Sequence, residues 1–185
     1  MRRPVAVALT GGIAAGKSEA LAAFARHGAA TASADEFVHT LLAEDDEVRQ
    51  VIGDRFGDDA VGDRRRLGEI VFNDPAELEW LEQLLHPRTR ALASAWLETV
   101  ECPLAVVEIP LLYETGGEAR FDRVVVITAP PELRAERRGA FAEREARLLP
   151  DEEKVRRADF SYVNDGSLED LDAFVAGVVE SVSSS

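Results

Sequence analysis

The stretch of sequence that decides the fold is VAVALTGGIAAGKS, which runs from Val5 to Ser18. Its first five residues are all apolar, which is typical of a short strand buried on both faces of a sheet. Thr10 to Gly16 is a glycine-rich loop, and glycine allows backbone angles that point successive N–H groups at one anion. A helix predicted from Ser18 to Arg26 would add the partial positive charge of its N-terminus. The stretch therefore predicts a phosphate-binding loop between a strand and a helix.

Residues 11–18 match the pattern G-x-x-x-x-G-K-[ST], the P-loop of nucleoside triphosphate-binding proteins. Lys17 would bridge the β- and γ-phosphates of ATP, and the Ser18 hydroxyl would help to hold Mg²⁺. The alternative is a glycine-rich turn with an incidental lysine, which is disfavoured because the chain has only two lysines, Lys17 and Lys154. The residues expected to contact the nucleotide are Gly11, Gly12, Ile13, Ala14, Ala15, Gly16, Lys17, Ser18 and Glu19.

Length and charge limit the possible functions. The chain has 185 residues, enough for a single domain over 1–185, and a formal net charge of −14. A surface this negative repels nucleic acids and anionic membranes, so neither is an expected partner. One cysteine, Cys102, fits a reducing compartment, and no apolar run reaches the length of a spanning helix. We expect a cytoplasmic protein that is a monomer or a weak homo-oligomer.

The pattern of apolar residues predicts an α/β fold with a five-stranded parallel sheet flanked by helices. The further strands are expected at 29–34, 104–109, 124–128 and 160–163. The region of about 36–101 reads as a mostly helical insert, interrupted at Gly53, Gly57, Gly62, Pro75 and Pro87. A charge-dense helical segment is predicted for 132–157, and an amphipathic helix from Leu168 closes the chain.

The length leaves little room for the additional parts of a motor protein. The chain also lacks an N-K-x-D-like motif of the kind that reads guanine. The P-loop together with this size therefore favours a small kinase that uses ATP.

Beyond the loop, the chain resembles the dephospho-CoA kinases in short stretches that run in the family's order from residue 5 to about 171. They are Ala34-Asp35, Phe56-Gly57, Asp63-Arg64, Leu67 to Phe72, Leu84 to Pro87, Glu108 to Glu114, Phe121-Asp122, Val124 to Val126, Ala158 to Phe160 and Asn164 to Ser167. His86-Pro87 and the Pro110 to Glu114 stretch are specific, because generic nucleoside monophosphate kinases lack them. The resemblance implies a P-loop kinase core, a helical substrate-binding insert and a short lid at about 134–157. It also implies transfer of the ATP γ-phosphate to the ribose 3′-hydroxyl of dephospho-coenzyme A.

The resemblance assigns Asp35 as the general base for the 3′-hydroxyl, at the end of the second predicted strand. An aspartate there would equally suit a helix N-cap, and both roles are compatible. Arg64 and His86 are implied as ligands of the substrate, which carries a pyrophosphate. The alternatives are a solvated basic run at residues 64–66 and a packed histidine.

Glu108 interrupts an otherwise apolar strand, so an ionised side chain there requires a partner such as Mg²⁺-bound water or an arginine. The substrate pocket is expected to be walled by Pro110, Leu111 and Leu112, for which core and turn is the alternative. Asn164 is expected beside the adenine, although a plain Asn-Asp-Gly turn fits almost as well. Arg144 of the lid is expected to neutralise charge on the transferred phosphoryl group, with Arg138 and Arg147 as alternatives.

Two other functions remain open at this stage. One is a P-loop kinase for a different small hydroxyl substrate. The other is a non-catalytic protein that binds a nucleotide or coenzyme A, which the carboxylate of Glu19 and a lid shorter than the family's would favour.

Overall fold

The structure is a computed structural model that describes residues 3–138 and 148–184. Its centre is a parallel sheet in the order β2-β3-β1-β4-β5. The strands are β1 Val5–Gly11, β2 Ala30–Ser33, β3 Leu104–Glu108, β4 Arg123–Thr128 and β5 Phe160–Val163. The predicted five-stranded parallel sheet is confirmed, and the strand that precedes the glycine-rich loop is its central strand.

Eight α-helices occur in the described residues. They are α1 Lys17–Arg26, α2 Ala34–Glu44, α3 Asp46–Phe56, α4 Arg64–Val71, α5 Pro75–Thr99, α6 Pro131–Arg138, α7 Asp151–Arg157 and α8 Leu168–Ser183. Short 3₁₀ turns occupy Asp58–Ala60 and Glu118–Arg120. Within 3–138 and 148–184, none of these helices offers an apolar stretch of the length that crossing a bilayer requires.

Both faces of the sheet are covered, as the apolar runs of its strands require. Successive residues of β1 point to opposite faces, so Val7 and Leu9 lie in one core and Ala8 lies in another. The first core is closed by α1 and α8 through Phe24, Leu171 and Val175. The second core contains Leu112, Tyr113, Val124 and Val126.

The chain forms two compact units, one of residues 1–33 with 97–185 and the other of residues 34–96. The second unit contains α2 to α4 and most of α5, and it has an apolar core of its own. That core contains Leu41, Leu42, Val48, Ile52, Ala60, Leu67, Val71, Leu81 and Leu85. A substrate-binding role for the region 36–101, and a single kinase domain over 1–185, stay predictions.

Two residues predicted to interrupt helices lie inside them, Gly53 in α3 and Pro87 in α5. Pro87 has no N–H, so one backbone hydrogen bond of α5 is missing. The guanidinium groups of Arg88 and Arg90 donate to carbonyls one turn earlier. Burial of apolar side chains on both sides of the proline keeps α5 continuous, through Leu81, Leu85 and Ala93.

Two predicted boundaries were wrong. The strand predicted for 29–34 ends at Ser33, and Asp35 is the second residue of α2, where its negative charge suits the helix dipole. The segment 132–157 is not one helix, because residues 148–150 are non-helical and precede α7. Pro150 accounts for this, since a proline disfavours helical geometry at the residue before it.

Candidate active site

The loop after β1 has the backbone geometry of an anion-binding nest. Gly11, Ala14 and Gly16 have φ values of 145°, 57° and 99°. Such angles cost little for glycine but strain an alanine, and strain of this kind concentrates at functional sites. A Cβ on Gly11 would lie 1.8 Å from the Ile127 carbonyl oxygen, so only glycine fits beside β4. The close approach of β4 therefore restricts the conformation of the loop at Gly11.

Lys17 begins α1, and its side chain folds back over the loop. Its Nζ donates to the carbonyl oxygens of Gly12 at 2.9 Å and Gly11 at 3.4 Å. The carboxylate of Glu108 lies 3.9 Å from the same Nζ. The ammonium group thus lies at the loop, where it could bind phosphate oxygens.

Glu108 ends β3, which pairs directly with β1 at Leu9. It is one of the few charged residues that the sheet buries. Lys17 is an ion-pair partner of its buried carboxylate. Glu108 therefore orients the cation of the loop.

Asn164 follows β5 and is buried. Its Nδ2 donates to the Ala15 carbonyl oxygen at 2.8 Å, and its backbone N–H donates to Thr128 at 2.7 Å. The side chain was predicted to lie beside the adenine. The structure places it under the loop, where it holds Ala15 against the end of β5.

A second cation lies against the loop, and the sequence analysis did not single it out. A Cβ added to Gly12 would lie 2.8 Å from Nη1 of Arg134 and 3.0 Å from Oδ2 of Asp151. Arg134 belongs to α6, Asp151 begins α7, and their charged groups are 3.8 Å apart. Arg134 and Asp151 thus pack against the loop at Gly12, which has no side chain to keep them away.

The charge around the loop is balanced. Lys17 lies beside Glu108, and Arg134 lies beside Asp151. Binding a polyanion therefore depends on the N–H groups of the loop and on the ability of both cations to exchange a carboxylate or carbonyl partner for phosphate.

The segment after β3 divides between core and surface. Pro110 and Leu111 are half-buried, and the Pro110 carbonyl accepts the Thr10 hydroxyl at 3.4 Å. Leu112 is fully buried in the core with Val124 and Val126. The structure favours the alternative of core packing over a place in the pocket wall, because no part of the Leu112 side chain is exposed to solvent.

Three predicted residues lie in the unit 34–96. Asp35 is in the first turn of α2, Arg64 begins α4 after the N-cap Asp63, and His86 lies within α5. Arg65 and Arg66 form ion pairs with acidic neighbours, whereas none is found for Arg64 in residues 3–138 and 148–184. A ligand-binding role for Arg64 stays a prediction.

His86 is half-buried, and burial lowers the pKa of its imidazole. Glu82 opposes this shift and Arg90 adds to it. The neutral form is therefore favoured near neutral pH. Its contribution to stability is present above the ordinary pKa of 6.5 and is lost as the pH falls through the lower folded-state pKa.

The remaining predicted residues divide between the start of α1 and the lid. Ser18 and Glu19 are exposed in the first turn of α1. Arg144 and Arg147 lie outside the described residues, and Arg138 is the last residue of α6. The role of Arg144 at the phosphoryl group, with Arg138 and Arg147 as alternatives, stays a prediction.

The side chains at the loop fit a magnesium ion. Ser18 and Glu108 offer hydroxyl and carboxylate oxygens, which Mg²⁺ prefers. Groups of three or more His, Cys, Asp or Glu suited to a metal are absent from residues 3–138 and 148–184.

Comparison with known proteins agrees with this geometry. The family model for dephospho-CoA kinase matches residues 5–170. The dephospho-CoA kinase of Thermosynechococcus vestitus is 40% identical, over 92% of this chain and 91% of that protein. The dephospho-CoA kinase of Mesorhizobium japonicum is 38% identical, over 95% of each.

A solved structure is similar over the whole length of the chain. The dephospho-CoA kinase from Campylobacter jejuni superimposes with a TM-score of 0.67 at 28% identity, covering 98% of each chain. The sequence match and the structural match thus both extend over most of the chain. The chain belongs to the dephospho-CoA kinase family.

Proposed function

We propose that the protein transfers the γ-phosphoryl group of ATP to the ribose 3′-hydroxyl of dephospho-coenzyme A, which gives coenzyme A and ADP. Membership of the family supports this activity. The observation that carries it is the ammonium group of Lys17, which lies over the carbonyls of a strained, preformed phosphate loop and beside Glu108.

In this reaction the bond between the 3′-oxygen and the γ-phosphorus forms while the bond to the β-phosphate oxygen breaks. The N–H groups of the loop and Lys17 would stabilise the negative charge on the transferred group. Because the loop is held by Asn164 and by the fit of Gly11 against β4, it needs little reorganisation when ATP binds. Arg134 adds a second cation at Gly12.

Asp35 is proposed as the group that accepts the proton of the 3′-hydroxyl. A carboxylate within reach of a hydroxyl orients it and receives its proton as the new bond forms. Arg64 and His86 are proposed to bind the substrate, Arg64 through its phosphates. Mg²⁺, when bound, would neutralise charge on the β- and γ-phosphates, and Ser18 would contribute a ligand to it.

We further propose that the protein works in the cytoplasm as a monomer or a weak homo-oligomer and binds no nucleic acid. The net charge of −14 and the single cysteine support this. A solution mass that stays at twice 20.2 kDa or a higher multiple on dilution would contradict the proposed assembly state.

The activity is tested by mixing the protein with ATP, Mg²⁺ and dephospho-coenzyme A and measuring both coenzyme A and ADP. Equal formation of the two products is expected. Binding of both ligands without product would favour a non-catalytic protein of the same family. ADP formed only with other acceptors would overturn the proposed substrate.

Asp35→Asn tests the base. We expect kcat to fall at least about a hundredfold, because the amide cannot accept the proton. The KM for ATP should change little, since nucleotide binding is assigned to other residues. Glu36→Gln, at the next position of the same helix turn, is the matched control. A rate close to that of the wild type for Asp35→Asn would reject the assignment.

A further inference from the structure

A buried ion pair anchors helix α7. Lys154 is completely buried, and its Nζ lies 3.0 Å from Oε1 of Glu114. The same oxygen accepts the backbone N–H of Leu149 at 2.8 Å. Glu114 lies in the segment after β3, so its contacts join that segment to Leu149, just before α7, and to the middle of α7.

Burying two charges is costly, and their attraction repays the cost only when the geometry is good. A hydrophobic pair of the same volume would often stabilise a fold as well. The pair therefore contributes little net stability, and Nζ of Lys154 makes no hydrogen bond within residues 3–138 and 148–184. The position of α7 is fixed by the closeness of the two charges and by the Leu149 N–H, which donates to Glu114. A second contact lies one turn further on, where Arg157 stacks over the Tyr113 ring at 4.3 Å and pairs with Glu118.

The first turn of α7 also meets the phosphate loop. Asp151 precedes Lys154 by about one helical turn and pairs with Arg134 at 3.8 Å. Both charged groups lie within 3.0 Å of the position that a Cβ on Gly12 would take. Two ion pairs, made by residues one turn apart on α7, thus join the helix to Glu114 and to the guanidinium of Arg134 at the loop.

We infer that Glu114 and Lys154 are positioning residues for the nucleotide. They fix α7, and α7 in turn keeps the Arg134 guanidinium against Gly12, where it meets the phosphates of ATP. Neither residue touches the nucleotide or the acceptor. The inference rests on the proposed function, because it assigns how the same phosphate site is held in shape.

The pair is tested with Glu114→Gln, Lys154→Met and the double variant. Glu114→Gln keeps the shape of the side chain and an acceptor for Leu149. The double variant leaves no lone buried charge, so it carries the test if a single variant does not fold. We expect the KM and the Kd for ATP to rise about fivefold to tenfold, within the usual range of coupling between neighbouring residues. The kcat and the KM for dephospho-coenzyme A should change less than about twofold.

An Arg134→Ala background distinguishes a positioning role of Glu114 and Lys154 from a general loss of structure. In an Arg134→Ala background, the Glu114 and Lys154 variants should raise the ATP constants less than about twofold further, because the group that they position is gone. Asp151 is not substituted in this cycle. Its carboxylate repels phosphate as well as holding Arg134, so its removal could either raise or lower the KM and the Kd for ATP. An undiminished effect in the Arg134→Ala background would overturn the inference, and so would folded variants that bind ATP as the wild type does.

Glu153→Gln is the matched control on the same helix. Glu153 pairs with Arg156 on the surface, away from Glu114, so wild-type ATP constants are expected for it. Equal weakening by this control would also overturn the inference. Measuring the ATP Kd without acceptor keeps this result separate from the proposed function, which fails only if the wild type forms no coenzyme A.

Discussion

Each of the two lysines in the chain pairs with a glutamate, and the two Lys–Glu pairs serve different purposes. Lys17 lies 3.9 Å from Glu108 and keeps 13% of its side chain exposed, whereas Lys154 lies 3.0 Å from Glu114 and is fully buried. Both glutamates come from the end of β3 or the segment after it. Lys17 also rests on backbone carbonyls that a phosphate can replace. Distance and access to solvent therefore separate a lysine that can exchange its partner from one that cannot.

The largest effect is expected from breaking the buried pair alone. Lys154→Met leaves Glu114 charged and buried, so the free energy of unfolding should fall by about 3–5 kcal/mol. Lys17→Met should lower it by less, because the Lys17 ammonium group lies 3.9 Å from Glu108 and 13% of the side chain is exposed, so less attraction is lost. Urea denaturation of both variants measures the difference.

The double variant Glu114→Gln with Lys154→Met is the control for that experiment. It should recover most of the stability that Lys154→Met loses, because no unpaired charge stays buried. Equal losses for Lys17→Met and Lys154→Met would contradict the contrast between the two lysines.

A smaller effect is expected from loosening the loop that Lys17 serves. Asn164→Ala removes the donor to the Ala15 carbonyl, and a lost buried hydrogen bond costs about 1–3 kcal/mol. The kcat/KM for ATP should fall by about tenfold or more if this free energy appears in binding of the transition state. Steady-state kinetics at varied ATP measures it, with Asp165→Ala at the next, exposed position as control. An unchanged kcat/KM would show that the loop keeps its shape without Asn164.

The smallest effect is expected at a partly exposed group of charges on the surface, Arg26, His27 and Asp172. Hydrogen bonds from Arg26 and then His27 lower the pKa of Asp172 below its ordinary 3.8. This contribution to stability is present above the ordinary pKa and is lost as the pH falls through the lower folded-state pKa. Between about pH 5 and about pH 3, the wild type should therefore lose more stability than Asp172→Asn. Identical losses, measured by denaturation at both pH values, would exclude this pair as a source of acid sensitivity.

The sequence predicted those features that depend on neighbouring residues. The run from Val5 to Ser18 predicted a buried strand, a phosphate loop and a helix, because all three follow from local composition. The parallel sheet followed from the alternation of strands and helices. The continuity of α5 through Pro87 was missed, because packing on both sides of a proline outweighs the loss of one hydrogen bond.

The parts of the site that were missed depend on residues far apart in the chain. Arg134 meets Gly12, and Lys154 meets Glu114, only after the sheet has brought α6 and α7 to the loop. The sequence placed Leu112 in the wall of the substrate pocket, whereas in the structure it packs in the core against β4. The scarcity of lysine was the one sequence feature that could have directed attention to Lys154.

The most direct test of the central claim is the rate of coenzyme A formation from ATP and dephospho-coenzyme A, measured for the wild type and for Lys17→Met under the same conditions. We expect the wild type to form coenzyme A and the variant, although folded, to form it at least about a hundredfold more slowly. Equal rates for the two proteins, or no coenzyme A from the wild type, would contradict the assignment of Lys17 as the phosphate-binding lysine of this kinase.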